Sequence, residues 1–456
     1  MDKHIIKRIT YCILPIVLCL LCSCSDFLDE KSSKKLIIPS KLEELQGLLD
    51  YYQRVNQVGI YAGEVGADNY YLHEADWATM AMHYRNMYIW QNDEMFPTTV
   101  NSWSLTYENI YRANTVLEYI RNIARTEDNR TEWDALKGHA LFLRAKGFLE
   151  VAMIWSLAYD KETAATDLGI PLRLDPDFNT PSVRASTEET YQQIIRDFEG
   201  ACYYLPENQM TEMRPSKFSA YGYLARTYLA MRDYEKVELY ADSALAVPGY
   251  RLLDYNSIDS NENFPFERFN SEVLYEEQMQ TPPPLNSSNC RINEDLWNSY
   301  NDSDLRKNLF FLTREDGTIG FRGSYEGTSI LFSGFTLAEA FLMKSETSVR
   351  NGRVQEGLEF LNIFLVKRWK NGTYEPIKIQ GNDEALTIVL EERRKELIMR
   401  GLRWMDIKRL NKEGRNITVE RTLGDQHYML QPNDPAYAMP IPLEIIMNSD
   451  MQQNSR

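Results

Sequence analysis

The sequence predicts a mainly α protein, built as a scaffold of paired helices interrupted by long, irregular, loop-rich insertions. Three observations carry this expectation. Apolar residues recur at i, i+3 or i+4 through segments at roughly 102–124, 131–159, 187–205, 215–231, 234–247, 335–350, 353–370 and 383–411. Two of the helix pairs repeat one pattern of small and large residues. The stretches 54–100 and 250–334 are rich in Asn, Pro, Gly and aromatic residues and have no long helical period.

The N-terminus has its own logic. Lys3, Lys7 and Arg8 stand against Asp2, and the uncharged run Tyr11 to Leu21 follows. A membrane-crossing helix needs roughly 20 apolar residues, and Ser23, Ser25 and Asp26 come too early for one. The pattern is that of a secretory signal. No pair of small residues in the A-x-A manner marks a simple cleavage site, but Leu21 and Ser23 precede Cys24 by three residues and by one, as in lipoprotein signals. The expectation is removal of residues 1–23 and lipidation of Cys24, with Cys19 and Cys22 as apolar filler. The alternative is an ordinary signal with incidental cysteines. A cysteine carrying more than one acyl chain anchors a protein stably to a membrane surface.

The remainder is read as residues 24–230 and 231–456, two parts of one globular body, since a chain of this length is long for one simple core. The 456 residues carry a formal net charge of −16, and losing the basic signal makes the mature chain more acidic still. Such a surface repels phosphate backbones, which argues against nucleic-acid binding. Beyond Cys24 only Cys202 and Cys290 remain. An exported protein can pair them, yet Cys202 lies in the apolar line of "YQQIIRDFEGACYYLP", where a buried free thiol is the simpler reading.

After a polar tether, Leu42, Leu45, Leu48 and Leu49 begin the helical part. Thr187, followed by Glu188 and Glu189, offers a helix N-cap and two carboxylates for the positive end of the dipole, and Asn351-Gly352 is a turn between helices. The repeated pairs are "FSAYGYLARTYLAMRDYEKVELYADSALAV" and "FTLAEAFLMKSETSVRNGRVQEGLEFLNIF". In each, a small residue (Ala225 or Ser345) lets the helices approach and a large one (Tyr240 or Phe360) fills the space between, which is the tetratricopeptide pattern. The copies stand more than a hundred residues apart, so the array reads as interrupted.

Six ordered stretches make the chain resemble the SusD/RagB family, surface nutrient-binding lipoproteins named after the D component of a starch-utilisation system. "CSDFLDE" is similar to the family's anchored start, "YENIYRANTVLEYI" to its Tyr-x-x-Ile-x-x-Ala-Asn helix and "GHALFLRAKGFLEVAMIW" to its Ala-x-Phe-x-Arg-Ala helix. "GIPLRLDPDF" with "RASTEETYQQIIRDFEGACYYLP", "EERRKELIMRGLRWMDIKRL" and "YAMPIPLEIIMNSDMQQN" resemble its later blocks. The resemblance implies a SusD-like α-α superhelix, an outer-membrane location and delivery of ligand to a SusC-like, TonB-dependent barrel. The blocks themselves read as fold determinants. Arg393, Arg394, Glu396, Arg403 and Asp406 fall within four turns of one expected helix, where i, i+3 and i+4 partners pair, and Gly401 permits close helix contact. Arg144 is expected to pair inside the helical core.

No residues demand catalysis. His73, His83, His139 and His427 lack metal-ligand spacing, no C-x-x-C remains after processing, and no G-x-S-x-G elbow occurs. Glu276 and Glu277 read as a solvated acidic pair. No cofactor is expected. Sugar binding instead needs an aromatic face for the pyranose ring and polar side chains for its hydroxyls. The two insertions supply both, with Asp68, Asn69, Tyr70, Trp77 and Tyr84 in the first and Asn289, Arg291, Trp297 and Tyr300 in the second. Tyr70 and Tyr71 point oppositely on an extended segment, so at most one faces a ligand. Trp90 and Trp103 are expected in the core. The leading expectation is a lipid-anchored capture protein for oligosaccharides. The others are capture of peptides or other nutrients, a tetratricopeptide scaffold that assembles proteins, and a hydrolase.

Overall fold

Ten helices of eight or more residues account for the amphipathic segments: α1 Leu42–Leu49, α2 Ser102–Tyr119, α3 Arg130–Trp155, α4 Thr187–Tyr204, α5 Lys217–Met231, α6 Tyr234–Leu245, α7 Leu337–Arg350, α8 Val354–Leu365, α9 Asn382–Glu396 and α10 Arg403–Asn411. They belong to a computed structural model that describes residues 39–455 apart from 209. The expected signal, Cys24 and most of the tether lie outside the described residues. Residues 41–456 form one compact unit, and the boundary expected at 230/231 falls at the end of α5. No described helix is long and apolar enough to cross a membrane.

The helices begin where local chemistry satisfies their first N–H groups. Asn101 caps α2 reciprocally with Ser104, and Ser216 does the same for α5 with Ser219. The cap of α4 is Ser186, not Thr187. The Ser186 hydroxyl accepts from the Glu189 N–H at 3.1 Å, and the Glu189 carboxylate accepts from the Ser186 N–H at 2.8 Å. Ser186 wins because it ends the short strand Arg184–Ser186, whose extended backbone suits a cap, whereas Thr187 is already helical.

From α2 to α8 the helices stack in series, and α9 packs on α7. The two repeated pairs, separated in sequence, are neighbours in space because α6 packs directly on α7. The interruption is thus one of sequence only: the chain from 250 to 334 leaves the stack and returns to it. Lys344 of α7 seals the junction, donating to Glu238 and Asp242 of α6, each at 2.9 Å. Within the pairs the small-and-large pattern works as read. Tyr228 and Tyr240 stack with centroids 5.6 Å apart, and the Ser345 hydroxyl donates to the Gly357 carbonyl of α8 at 2.7 Å. A second core of Leu342, Val349, Leu358, Leu361, Phe364 and Val389 fills the space between α7, α8 and α9.

The single helix expected over 383–411 is two. The chain breaks after Glu396, turns through Met399 (φ 58°) and Gly401 (φ 73°), and restarts at Arg403. The left-handed turn aims the Gly401 N–H at the buried Glu64 carboxylate, 2.9 Å away. The pairing expected along one helix is corrected accordingly, since most partners are tertiary. Arg393 reaches Asp406 across the break at 2.9 Å, Arg409 binds Glu346 of α7 at 2.6 Å, and Arg403 leaves the helix for Asp68. Arg144 pairs with Asp197 of α4 at 2.7 Å, as expected.

Both insertions are more ordered than their composition indicates. The first begins within the short helix Tyr52–Val55 and holds Ala62–Gly66, Glu74–Thr79 and Met82–Tyr88, and the second combines short strands with the short helices Glu294–Asn298 and Arg306–Phe310. Ionic clamps fix them to the scaffold. Arg306 of the second insertion is fully buried with Asp304, Glu392 and Glu396, and Arg368 joins Glu272 to Glu396. Removing one partner from such a cluster costs about 3–5 kcal/mol. Cys202 and Cys290 are free and buried. Glu276 and Glu277 are not solvated: both are fully buried, Glu276 with Arg268 and Tyr52, Glu277 with Lys146.

Candidate functional site

The two insertions meet in a two-stranded antiparallel ladder, Tyr70–Tyr71 against Arg291–Ile292, in the register Tyr70 to Ile292 and Tyr71 to Arg291. Strand alternation sends the tyrosines to opposite faces. Tyr70 is buried, its hydroxyl donating to the Val65 carbonyl at 3.1 Å and its ring lying 5.7 Å from that of Tyr88. Tyr71, which the sequence left second, is the half-exposed one. Burial likewise removes Asn69 and Tyr300 from any ligand surface. Asn69 donates to Glu64 at 2.9 Å and accepts from Arg394, while the Tyr300 hydroxyl donates to the Lys395 carbonyl at 2.8 Å. Tyr70, Asn69 and Tyr300 are therefore corrected from ligand contacts to core residues. Composition marks a segment as polar and aromatic, but the strand register decides which side chains surface.

Asp68 is a tether point. Its carboxylate takes both nitrogens of the Arg403 fork at 2.7 and 2.8 Å and Arg394 at 3.1 Å, so these guanidiniums hold it far below the usual carboxylate range. Arg394 and Arg403, on α9 and α10, thereby pin the first insertion to the scaffold. Close packing assists: a Cβ on Gly66 would lie 2.9 Å from the Trp404 ring, so only glycine lets the Ala62–Gly66 helix rest on α10.

Arg291 is itself buried and is corrected from a ligand contact to a tie between the insertions, donating to Asp76 at 2.7 Å and to the Asn289 carbonyl at 2.7 Å, with Asp316 at 3.7 Å. The Asn289 side chain is spent on its own loop, its amide donating to the Pro283 carbonyl at 2.9 Å. Trp77 is half-buried; its indole N–H donates to the Arg85 carbonyl at 3.2 Å and the Arg85 guanidinium lies 5.5 Å from its ring. Tyr84 packs between His83 at 4.0 Å and Tyr61 at 6.2 Å. Burial lowers the pKa of His83. His83 lines a cleft of about 380 Å³ with Asp93, Glu94 and Leu443. Trp90 and Trp103 are buried, as expected.

Trp297 is the expected residue best placed to meet a ligand. It sits on the short helix Glu294–Asn298, capped by Asn293, directly after the ladder. It lines a cleft of about 500 Å³ with Ser260, Asp302, Lys307, Asn308, Thr313 and Arg322. Its indole N–H makes no hydrogen bond to the described chain, unlike that of Trp77. Lys307 and Arg322 were not legible as site residues. The loop carrying Ser260, the helix Arg306–Phe310 and the segment after Phe321 converge only in the folded chain, and no spacing signals it. An aromatic ring beside free polar groups can stack on a pyranose and bind its hydroxyls. Among the described residues no group of three His, Cys, Asp or Glu is placed to hold a metal.

Two family profiles match the chain. One, described as starch-binding, associating with the outer membrane, covers residues 26–229, and one described as the SusD family covers 320–456. SusD-like protein P2 of Formosa agariphila is 23% identical over 421 residues, spanning 77% of this chain and 79% of the relative. A putative sugar-binding protein from Bacteroides vulgatus has the same fold with a TM-score of 0.74 at 20% identity, covering 91% of this chain and 99% of that one. A SusD superfamily protein from Bacteroides thetaiotaomicron also gives 0.74 at 20% identity, over 91% and 100%. A SusD-like carbohydrate-binding protein from Bacteroides vulgatus gives 0.68 at 20% identity, over 88% and 95%.

Proposed function

Because the chain belongs to the SusD/RagB family, we propose that it captures an oligosaccharide at the outer membrane, anchored by lipid on Cys24 and facing outward, and hands it to a SusC-like, TonB-dependent barrel. The observation that carries the sugar reading is the Trp297 cleft, where an indole and unspent polar side chains share one opening beside the ladder that joins the insertions. The descriptions of the matching profile and of the neighbours as starch- or carbohydrate-binding support the same ligand class. Binding next to a transporter raises the local ligand concentration, so modest affinity suffices and no chemistry is needed. Glu276 and Glu277 are buried, so this pair is closed to a substrate and offers no carboxylates for hydrolysis.

Affinity gel electrophoresis of the soluble chain from residue 25 against a panel of polysaccharides tests this reading. Retention by at least one glycan, reduced in Trp297→Ala, is the expected outcome. Retention by none, with binding of peptides instead, overturns the sugar assignment. Pull-down of the lipidated chain from native outer membranes is expected to bring a barrel transporter in stoichiometric amount.

A further inference from the structure

We propose that the Trp297 cleft selects an acidic oligosaccharide, one carrying carboxylate or sulfate groups; this inference rests on the glycan-capture reading above. The argument is one of charge and of hydrogen-bond supply. The chain has a formal net charge of −16, yet the cleft presents cations and donors. Lys307 is held inside it, its side chain 16% exposed, with Nζ 4.4 Å from the Trp297 ring centroid and 2.8 Å from Asp302. The Asp302 side chain is 96% exposed, so water and salt screen that carboxylate strongly.

Arg322 has no carboxylate within ion-pair distance among the described residues. It donates to three backbone carbonyls, of Ser260 at 2.8 Å, Glu262 at 2.7 Å and Asn308 at 2.5 Å. Its Nε–H is shielded from solvent and lacks a partner. Carbonyl dipoles orient the guanidinium but leave its full charge uncompensated. Of the remaining polar side chains the indole N–H of Trp297 is donor-only, while the side-chain amide of Asn308 and the hydroxyl of Ser260 can donate or accept; none of the three makes a hydrogen bond to the described chain.

A neutral pyranose covering this cleft would strip water from the Arg322 side and return no counter-charge, which is costly. An anionic sugar supplies the counter-charge, accepts charge-assisted hydrogen bonds and still stacks on Trp297. The guanidinium and the indole are already held in place, so little ordering cost opposes binding.

The test measures binding of the soluble chain from residue 25 to polygalacturonate, which carries carboxylates only, kappa-carrageenan, which carries sulfates only, and neutral amylopectin and galactan. Binding of an anionic probe about ten-fold tighter than any neutral one, weakening as NaCl rises, is expected. Which anionic probe wins separates carboxylate from sulfate. Lys307→Gln and Arg322→Gln should each weaken that binding several-fold. Arg322 also anchors the 260–262 loop, so Lys307→Gln, checked for an unchanged urea midpoint, keeps the test sound if Arg322→Gln misfolds. Neutral probes binding as tightly as anionic ones, or binding insensitive to salt, overturn the acidic-sugar inference and leave glycan capture standing. Retention of no polysaccharide overturns both.

Discussion

Tyr71 of the first insertion lies opposite Arg291 of the second in an antiparallel ladder, and the Arg291 guanidinium returns to the first insertion by pairing with Asp76 at 2.7 Å. Backbone and side chain thus make the same connection twice. The candidate surface exists only where the two segments are so joined.

Arg291→Gln should therefore loosen the junction while sparing the helix stack. Hydrogen exchange is expected to accelerate at 70–71 and 291–292, with α5 to α8 unchanged, because local opening follows the contacts that are lost. Glycan retention should fall with it. Uniformly faster exchange across the chain would show that Arg291 serves global stability instead.

Asp68 is paired with Arg403 and Arg394, and Asp68→Asn leaves those two guanidiniums short of their counter-charge. A loss of about 3–5 kcal/mol in urea unfolding at neutral pH is expected. The sign with pH follows from the depressed pKa. The folded chain keeps Asp68 ionised where the unfolded chain protonates it, so its contribution is full above the ordinary carboxylate range and is lost as pH falls through the folded value. The gap between wild type and variant should close on acidification.

Glu326 behaves oppositely. Burial, then the charge of Glu276, push its pKa up to about 8. Gln278 donates to it at 2.7 Å and Arg268 lies 3.3 Å away. Between the ordinary carboxylate value and about 8, the folded chain holds a proton that the unfolded chain releases, so stability falls as pH rises through that window. Glu326→Gln should flatten this decline by at least about 1 kcal/mol, near the worth of one pK unit. Parallel unfolding curves for both proteins at pH 5.5 and 8.5, about the ends of that window, would contradict it.

Gly401 holds φ 73° between α9 and α10, and a Cβ there would lie 3.3 Å from the Met279 sulfur. Gly401→Ala is expected to cost about 1–2 kcal/mol from the left-handed backbone. Since the Gly401 N–H holds Glu64, and Glu64 holds Asn69, the loss should be accompanied by faster exchange in residues 62–71. A variant as stable as wild type would mean that the turn is not constrained.

The helices were legible because their signal is local. Periodicity and turn residues placed α2 to α8 within a few residues, since a buried stripe every three to four positions is written along one element. The tetratricopeptide-like pairs were legible on the same grounds, whereas the core roles of Trp90 and Trp103 followed from their place before and within the helix that resembles the family pattern, and that of Arg144 from its place in a resembling helix. The break between α9 and α10 was not: residues 397–402 carry apolar and charged side chains compatible with a helix, and the turn is held by Glu64 from another part of the chain. Thr187 and Ser186 differ as caps for a similar reason, because the strand ending at Ser186 is defined by its partner at Leu168–Pro171.

The sequence by itself determined a helical scaffold with two polar, aromatic insertions, and it marked those insertions as the candidate segments for a ligand surface. Only the tertiary structure decided which side chains in those segments face solvent. Ladder register buries Tyr70 and turns Tyr71 outward, ion pairs absorb Asp68 and Arg291, and Trp297 keeps a free N–H beside Lys307 and Arg322. The physical reason is that helix formation is encoded within a few turns of chain. Exposure and charge balance at a cleft instead depend on residues that meet only after distant loops close.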